Sequence, residues 1–112
     1  MTNVVNYFEI GTPDAGATMG FYGDLFGWQI GEASDGYRMV DEDKGGIWDT
    51  TAIGGGSWAI FYVQVENVKA VIDKAEGLGA KVVVPFTDNG PLEFAHLQDP
   101  QGNRFGVWRP KG

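Results

Sequence analysis

Few residues in this chain can do chemistry, and their types narrow what that chemistry would be. His96 is the only histidine, and there is no cysteine. Thiol catalysis, cysteine-ligated zinc, iron–sulfur clusters and disulfide frameworks are thereby excluded. An imidazole can donate to a ligand or act as a general base. Glu9 lies in an alternating run from Val4 to Ile10, on the same parity as Val5 and Tyr7. Its carboxylate could serve as a base, touch a metal, or pair with Arg104. Glu9 and His96 are the candidate catalytic residues, each able to act as a base, and an acid–base couple if the fold brings them together. The alternatives are a paired structural carboxylate and a hydrogen-bonded wall residue, and the residues alone leave both open. Tyr7, Tyr37, Trp48, Trp58, Tyr62 and Trp108 add rings able to stack on a planar or apolar ligand. Gly54-Gly55-Gly56 lacks the Lys-Ser/Thr and helix start of a phosphate loop, and reads as a hinge.

The elements that must hold these residues follow from periodicity and punctuation. Val4 to Ile10 predicts a strand. Thr12 as N-cap, Pro13 at the first helical position and Asp14 in the first turn predict a helix running to Phe26. Thr18, Phe21, Tyr22, Leu25 and Phe26 form its stripe, and Gly27 is its left-handed stop. Short strands are expected at residues 28–30 and 37–40 around Ser34-Asp35-Gly36, and another within 47–53 after a solvated turn at 41–46. Residues 58–65 alternate again. Asn67 caps a second helix, with Val68, Val71, Ile72, Ala75 and Leu78 on its stripe and Gly79 closing it. Residues 81–86 form a strand that Pro85 places at an edge or a bend. Residues 93–98 and 104–109 form a hairpin across Asp99-Pro100-Gln101-Gly102-Asn103.

The order strand–helix–strands thus occurs twice, and the helix-closing glycines, Gly27 and Gly79, stand about half the chain apart. An internal duplication within a single domain, 1–112, with modules of about 1–56 and 57–112, is the economical reading. The fold class is α+β, with the sheet faces opposite the helices curling around a shared concavity. Parity puts Phe8, Ile10, Phe61, Val63, Val65, Ala95, Leu97, Phe105 and Val107 beneath the helices. It turns Tyr7, Glu9, Trp58, Ile60, Tyr62, His96, Arg104, Gly106 and Trp108 the other way, and Trp48 completes the candidate ligand-binding set. Large aromatics with a few polar groups are what a small-molecule pocket contains. A filled core or a dimer interface is the competing reading. His96 and Gly106 are symmetric about Gln101, so the hairpin sets them opposite each other, with the glycine leaving room beside the imidazole.

Composition limits the partners. At 112 residues, with 43% hydrophobic and 21% charged residues, the chain can bury a core as one soluble domain. A net charge of −7 argues against nucleic acid and anionic membrane, which need a basic face. It also disfavours an anionic ligand unless Arg104 or Arg38 meets it. The opening residues, Met1 to Val5, have neither a basic region nor an apolar run, so no secretory leader is expected and the cytoplasm is the default.

Three stretches carry a family resemblance. They are Asn6-Tyr7-Phe8-Glu9-Ile10; Gly20-Phe21-Tyr22-Gly23-Asp24-Leu25-Phe26-Gly27-Trp28; and the run from Phe94 to Trp108 that contains Asp99-Pro100-Gln101-Gly102-Asn103-Arg104-Phe105-Gly106. Together they resemble the vicinal oxygen chelate superfamily of glyoxalases, bleomycin-resistance proteins and dioxygenases. The resemblance implies two βαβββ modules forming a U-shaped mixed sheet around a concave pocket, completed by dimerisation.

The resemblance also implies where a metal would sit, with ligands from the first and last strands of a module. The last-strand position here is Gly106. The first-strand positions fall at Val5 or Tyr7 and near Ile60, and the fourth lies within 48–56, where only Asp49 could coordinate. Gly, Val and Ile offer no ligand atom, and a divalent ion normally needs three or four. No metal and no cofactor are therefore expected. The leading function is metal-free binding of a small, mostly apolar or aromatic molecule, as in resistance-type members. The alternative is a lyase, isomerase or dioxygenase-type enzyme, metal-free through Glu9 and His96 or with another metal site. The expected partners are that small molecule and a second copy of the chain, in a homodimer.

Overall fold

The computed structural model describes residues 3–111. Met1 and Thr2, read above as part of a leaderless start, lie outside them. The described chain is α+β, with two helices and seven strands in a mixed sheet. It divides into two compact units. The first is Tyr7–Ala59, and the second comprises residues 3–6 and 60–111.

The first unit holds most of β1 (Val4–Thr12), then α1 (Ala15–Phe26), β2 (Tyr37–Val40) and β3 (Gly45–Asp49). Strand β3 lies between β1, which it pairs in parallel, and β2, which it pairs antiparallel. The helix begins two residues later than the sequence suggests. Asp14 is the N-cap, its carboxylate accepting from Ala17 N at 3.0 Å. Thr12 stays in the strand, where its hydroxyl accepts from Asp14 N and meets Thr18 Oγ1 at 2.8 Å. Gly27 ends the helix at φ 70°, as the stop signal requires.

The α1 stripe does not cover a core. No α1 residue is buried, and Phe21, Leu25 and Phe26 are 57–60% exposed. Tyr22 instead stacks on Trp28 at 5.2 Å. Residues 28–30 are not a strand; Ile30 makes only an isolated bridge to Val40. The strand expected within 47–53 starts earlier, at Gly45, and ends at Asp49, after which Thr51–Ile53 forms one 3₁₀ turn.

The second unit holds most of β4 (Trp58–Gln64), then α2 (Val68–Gly77), β5 (Lys81–Asp88), β6 (Leu92–Gln98) and β7 (Arg104–Pro110). Its strands run in the order β4-β7-β6-β5, with β4 and β7 parallel and the others antiparallel. Strand β5 is the edge that Pro85 demanded, and its register shifts between Val82 and Thr87. Asn67 caps α2 by accepting from Ala70 N at 3.0 Å. Val68 and Ile72 from the helix, and Val65, Ala95, Leu97 and Val107 from the strands, form the buried cluster.

In this unit two expected core residues lie outside that cluster. Leu78 sits at the helix end and is 72% exposed, and Phe61 stacks on Phe105 with 47% of its surface exposed. Among the described residues no helix is long and apolar enough to cross a membrane.

Candidate functional site

Each unit places one of the two candidate acid–base residues in the same local setting. Glu9 on β1 is the register partner of Gly46 on β3, and His96 on β6 is the register partner of Gly106 on β7. In each case a tyrosine ring lies over the glycine and bonds the candidate. Tyr37 covers Gly46 and donates to Glu9 Oε1 at 3.0 Å; Tyr62 covers Gly106 and meets His96 Nε2 at 2.6 Å. The room expected beside His96 is therefore filled by the Tyr62 ring.

In the first unit, Glu9 is only 2% exposed. Trp58 Nε1 donates to its other oxygen, Oε2, at 3.0 Å. The Tyr7 and Tyr37 hydroxyls are 2.8 Å apart. Since Tyr37 gives its single proton to Glu9, Tyr7 is the donor between them, and a chain runs from Tyr7 through Tyr37 to Glu9. Burial, with help from the Glu9 charge, pushes the Tyr7 hydroxyl up to about 12 against the opposing bond to Tyr37, so it stays protonated. Trp48 joins this group, its ring 6.4 Å from Tyr37 and 5.7 Å from Trp58. Trp58 also borders an open cleft of about 340 Å³ that includes Ile10, Thr12, Thr18, Tyr22 and Ser57. That cleft, at the end of β1, was not foreseen. Its hydroxyl residues carry no periodic signal, and they meet only because Thr12 remains in the strand.

In the second unit, His96 is fully buried and Tyr62 is 4% exposed. Phe94 packs edge-on against the imidazole at 6.1 Å. Ile60 is buried as an apolar residue. Trp108 donates to Asn6 Oδ1 at 3.0 Å, and Arg104 stands opposite Gln98.

The family's metal does not fit these residues. Gly106 and Ile60 have no donor atom, and the Tyr7 hydroxyl keeps its proton. Asp49 turns its carboxylate to Thr51, accepting from both the backbone N–H and the hydroxyl, which hold it below the usual carboxylate range. Among the described residues no three His, Asp or Glu side chains converge as a metal site would require.

The fold and these motifs define a member of the vicinal oxygen chelate superfamily, and the glyoxalase-like domain family matches residues 7–108. The chain belongs to that family. It is 28% identical to the anthracycline biosynthesis protein DnrV of Streptomyces peucetius, over 92% of this chain and 46% of DnrV. The chain thus spans less than half of that curated relative. Among solved structures it superimposes on the Mn(II)-bound glyoxalase from Novosphingobium aromaticivorans with a TM-score of 0.66 at 16% identity, covering 96% of this chain and 39% of that one. Methylmalonyl-CoA epimerase from Streptomyces coelicolor gives 0.63 at 15% identity, with 100% of both chains covered. Likenesses at such identities concern the fold.

Proposed function

We propose that this protein binds a small, mostly apolar or aromatic molecule against the rings around Glu9, without a metal. The observation that carries the reading is the state of Glu9: a buried carboxylate with a neutral ring donor on each oxygen. Such a carboxylate fixes Tyr37 and Trp58 as walls. Taking up a proton would weaken the bonds it accepts from both rings, which counts against a role as base. The half-buried faces of Tyr7, Tyr37, Trp48 and Trp58 supply the apolar contact area.

Thermal unfolding of the metal-stripped chain, screened against planar apolar compounds, tests this. A binder at a hundred times its Kd adds about 2.7 kcal/mol of stability. In a domain this size that raises Tm by roughly 10 °C or more. Stabilisation that appears only after a divalent ion is restored would overturn the metal-free part.

A second reading is supported by the 2.6 Å contact between Tyr62 and the buried His96. A tyrosine–histidine pair can hand on a proton, as a lyase or isomerase without a metal would need. Turnover that disappears in His96→Ala, with ligand binding retained, would favour it over sequestration.

The chain also forms a homodimer on this reading, housed in the cytoplasm by default. The exposed Phe21, Leu25 and Phe26 of α1 are the kind of surface a second copy covers. Sedimentation at micromolar concentration should give twice the chain's 12.1 kDa, and a monomer alone would sink the dimer.

A further inference from the structure

We infer that the cleft at the end of β1 is a second binding site, for a neutral monosaccharide ring held by the hydroxyls of Thr12, Thr18 and Ser57. It asks nothing of the rings around Glu9, and stands or falls apart from the reading above.

The first ground is that buried residues hold the cleft in shape. Thr50 is fully buried and ties two of its sides together. The Thr50 backbone N–H donates to Thr12 O at 2.8 Å, at the end of β1, and its hydroxyl donates to Gly56 O at 2.6 Å, next to Ser57. The glycine-rich turn that delivers Ser57 is thereby held against the strand. Gly11 also lines the cleft, where a Cβ would overlap the Trp58 ring, so only glycine lets the indole lie over β1 at this point. The volume of about 340 Å³ is at the low end for a small-molecule pocket, room for one ring.

The second ground is unused hydrogen-bonding capacity. Thr12 Oγ1 accepts from Asp14 N at 3.1 Å and lies 2.8 Å from Thr18 Oγ1. Whichever of the two hydroxyls donates to the other, the second keeps its own proton. Both residues line the cleft, so a molecule seated there is the natural acceptor for it. The Ser57 hydroxyl, which lines the same cleft, bonds no other group among the described residues. Hydroxyls both donate and accept, which matches the hydroxyls of a sugar. Ile10, Ala59 and Tyr22 supply apolar surface for its C–H faces.

The third ground is charge. Among the described residues that line the cleft, none is charged. The start of α1 lies beside it, yet three amides there are already taken within the chain: Asp14 N by Thr12 Oγ1, Ala17 N by the Asp14 carboxylate, and Thr18 N by Asp14 O. The Asp14 carboxylate therefore already holds the place an anion would take at this helix end. Residues 7–59 contain nine Asp and Glu against two Lys and Arg, so the field of this unit also repels anions. A neutral hydroxylated ring meets neither obstacle.

The test is amide NMR of the isotope-labelled full chain, titrated separately with three compounds. Methyl β-D-glucopyranoside is the neutral sugar. Cyclohexylmethanol has a ring of the same size with one hydroxyl, and glucuronate adds a carboxylate to the sugar. The glucoside should shift the Thr12, Thr18 and Ser57 amide signals with a Kd of about 1–10 mM, in keeping with its few heavy atoms. Cyclohexylmethanol should bind at least about fivefold more weakly, and glucuronate weakest. Ser57→Ala and Thr18→Val should each weaken the glucoside about fivefold, the effect of one neutral hydrogen bond. Ser34→Ala, at an exposed position of the same unit, should leave its affinity unchanged.

If Thr18→Val does not fold, Ser57→Ala decides by itself, since Ser57 is exposed and its hydroxyl holds nothing in place. Cyclohexylmethanol binding as tightly as the glucoside overturns the inference, because hydroxyls would then not be what the cleft recognises. Glucuronate binding tightest overturns it as well, in favour of an anion site at the start of α1. A loss in Ser34→Ala equal to that in Ser57→Ala also overturns it, because the contact would then belong to the surface at large. Signals that stay still up to about 100 mM glucoside, well above the expected Kd, overturn it outright. The ring site is unaffected by any of these outcomes, since the screen of planar apolar compounds measures it separately.

Discussion

Gly106→Ala should lower the stability of the folded chain by about 3 kcal/mol, the upper end of what overpacking usually costs. The measurement is the urea midpoint at unchanged slope. A Cβ at this position would come within 2.5 Å of Tyr62 Cδ2, against a ring that is 4% exposed. The ring has little freedom to yield, because its hydroxyl is tied to His96 Nε2 at 2.6 Å and its strand pairs in register with Gly106 itself. Removing the ring should relieve the clash. In the double substitution Gly106→Ala with Tyr62→Ala, the two costs should fall short of adding by at least about 1 kcal/mol, as expected of residues in contact. A Gly106→Ala chain within about 0.5 kcal/mol of the unaltered protein, the range of an ordinary surface change, would mean that the ring does not lie over the glycine.

The same contact bears on why position 106 offers no place for a metal ligand. A carboxylate on the last strand would need the space above position 106, and Tyr62 occupies it. Loss of the ligand and filling of its space are thus two sides of one arrangement. Glu9, Tyr37 and Gly46 repeat the pattern in the other unit, where a Cβ on Gly46 would overlap the Tyr37 ring. Restoring a metal ligand at Gly106 would require removing the tyrosine as well, so a single substitution is not a route back to metal binding.

Much of this was legible in the sequence, for reasons that differ by element. The closing hairpin could be placed because Asp99 and Asn103 fix its turn, the Asp99 carboxylate accepting from Gln101 N and Asn103 N at 2.9 Å. Once that turn is set, symmetry about Gln101 dictates that His96 faces Gly106, as it does. The second helix was legible because Val68 and Ile72 repeat at helical spacing and find a core. The first helix misled on burial. Its ring-bearing residues have the right spacing, but periodicity reports a stripe without reporting whether anything covers it.

Residues 28–30 misled for the opposite reason. Their composition suits a strand, yet only Ile30 reaches a partner strand, in a single bridge. For the site, parity correctly grouped Tyr7 with Glu9, and Tyr62 with His96 and Gly106. The identity of the bonding partners was beyond it. Tyr37 and Trp58 come to Glu9 from 28 and 49 residues away, and for Tyr37 it is the register of β2 on β3 and of β3 on β1 that brings the ring to the carboxylate.

Tyr62→Phe should be the second large effect, a loss of about 1–3 kcal/mol, which is the range for leaving a buried polar group without the partner it had. The change removes one oxygen and keeps the ring, so packing over Gly106 is undisturbed and the cost reports what the hydroxyl contributes, the bond to His96 included. Both residues are buried, the imidazole completely, so water cannot easily replace the lost hydroxyl. The loss should be seen in the urea midpoint, and His96→Phe in the Tyr62→Phe background should recover part of it. Replacing both members of a buried polar pair by apolar groups of similar shape costs less than orphaning one. A Tyr62→Phe chain as stable as the original would show that the 2.6 Å contact contributes nothing to the fold. In that case its retention in a buried position would point toward proton transfer, and the enzyme reading would gain at the expense of simple sequestration.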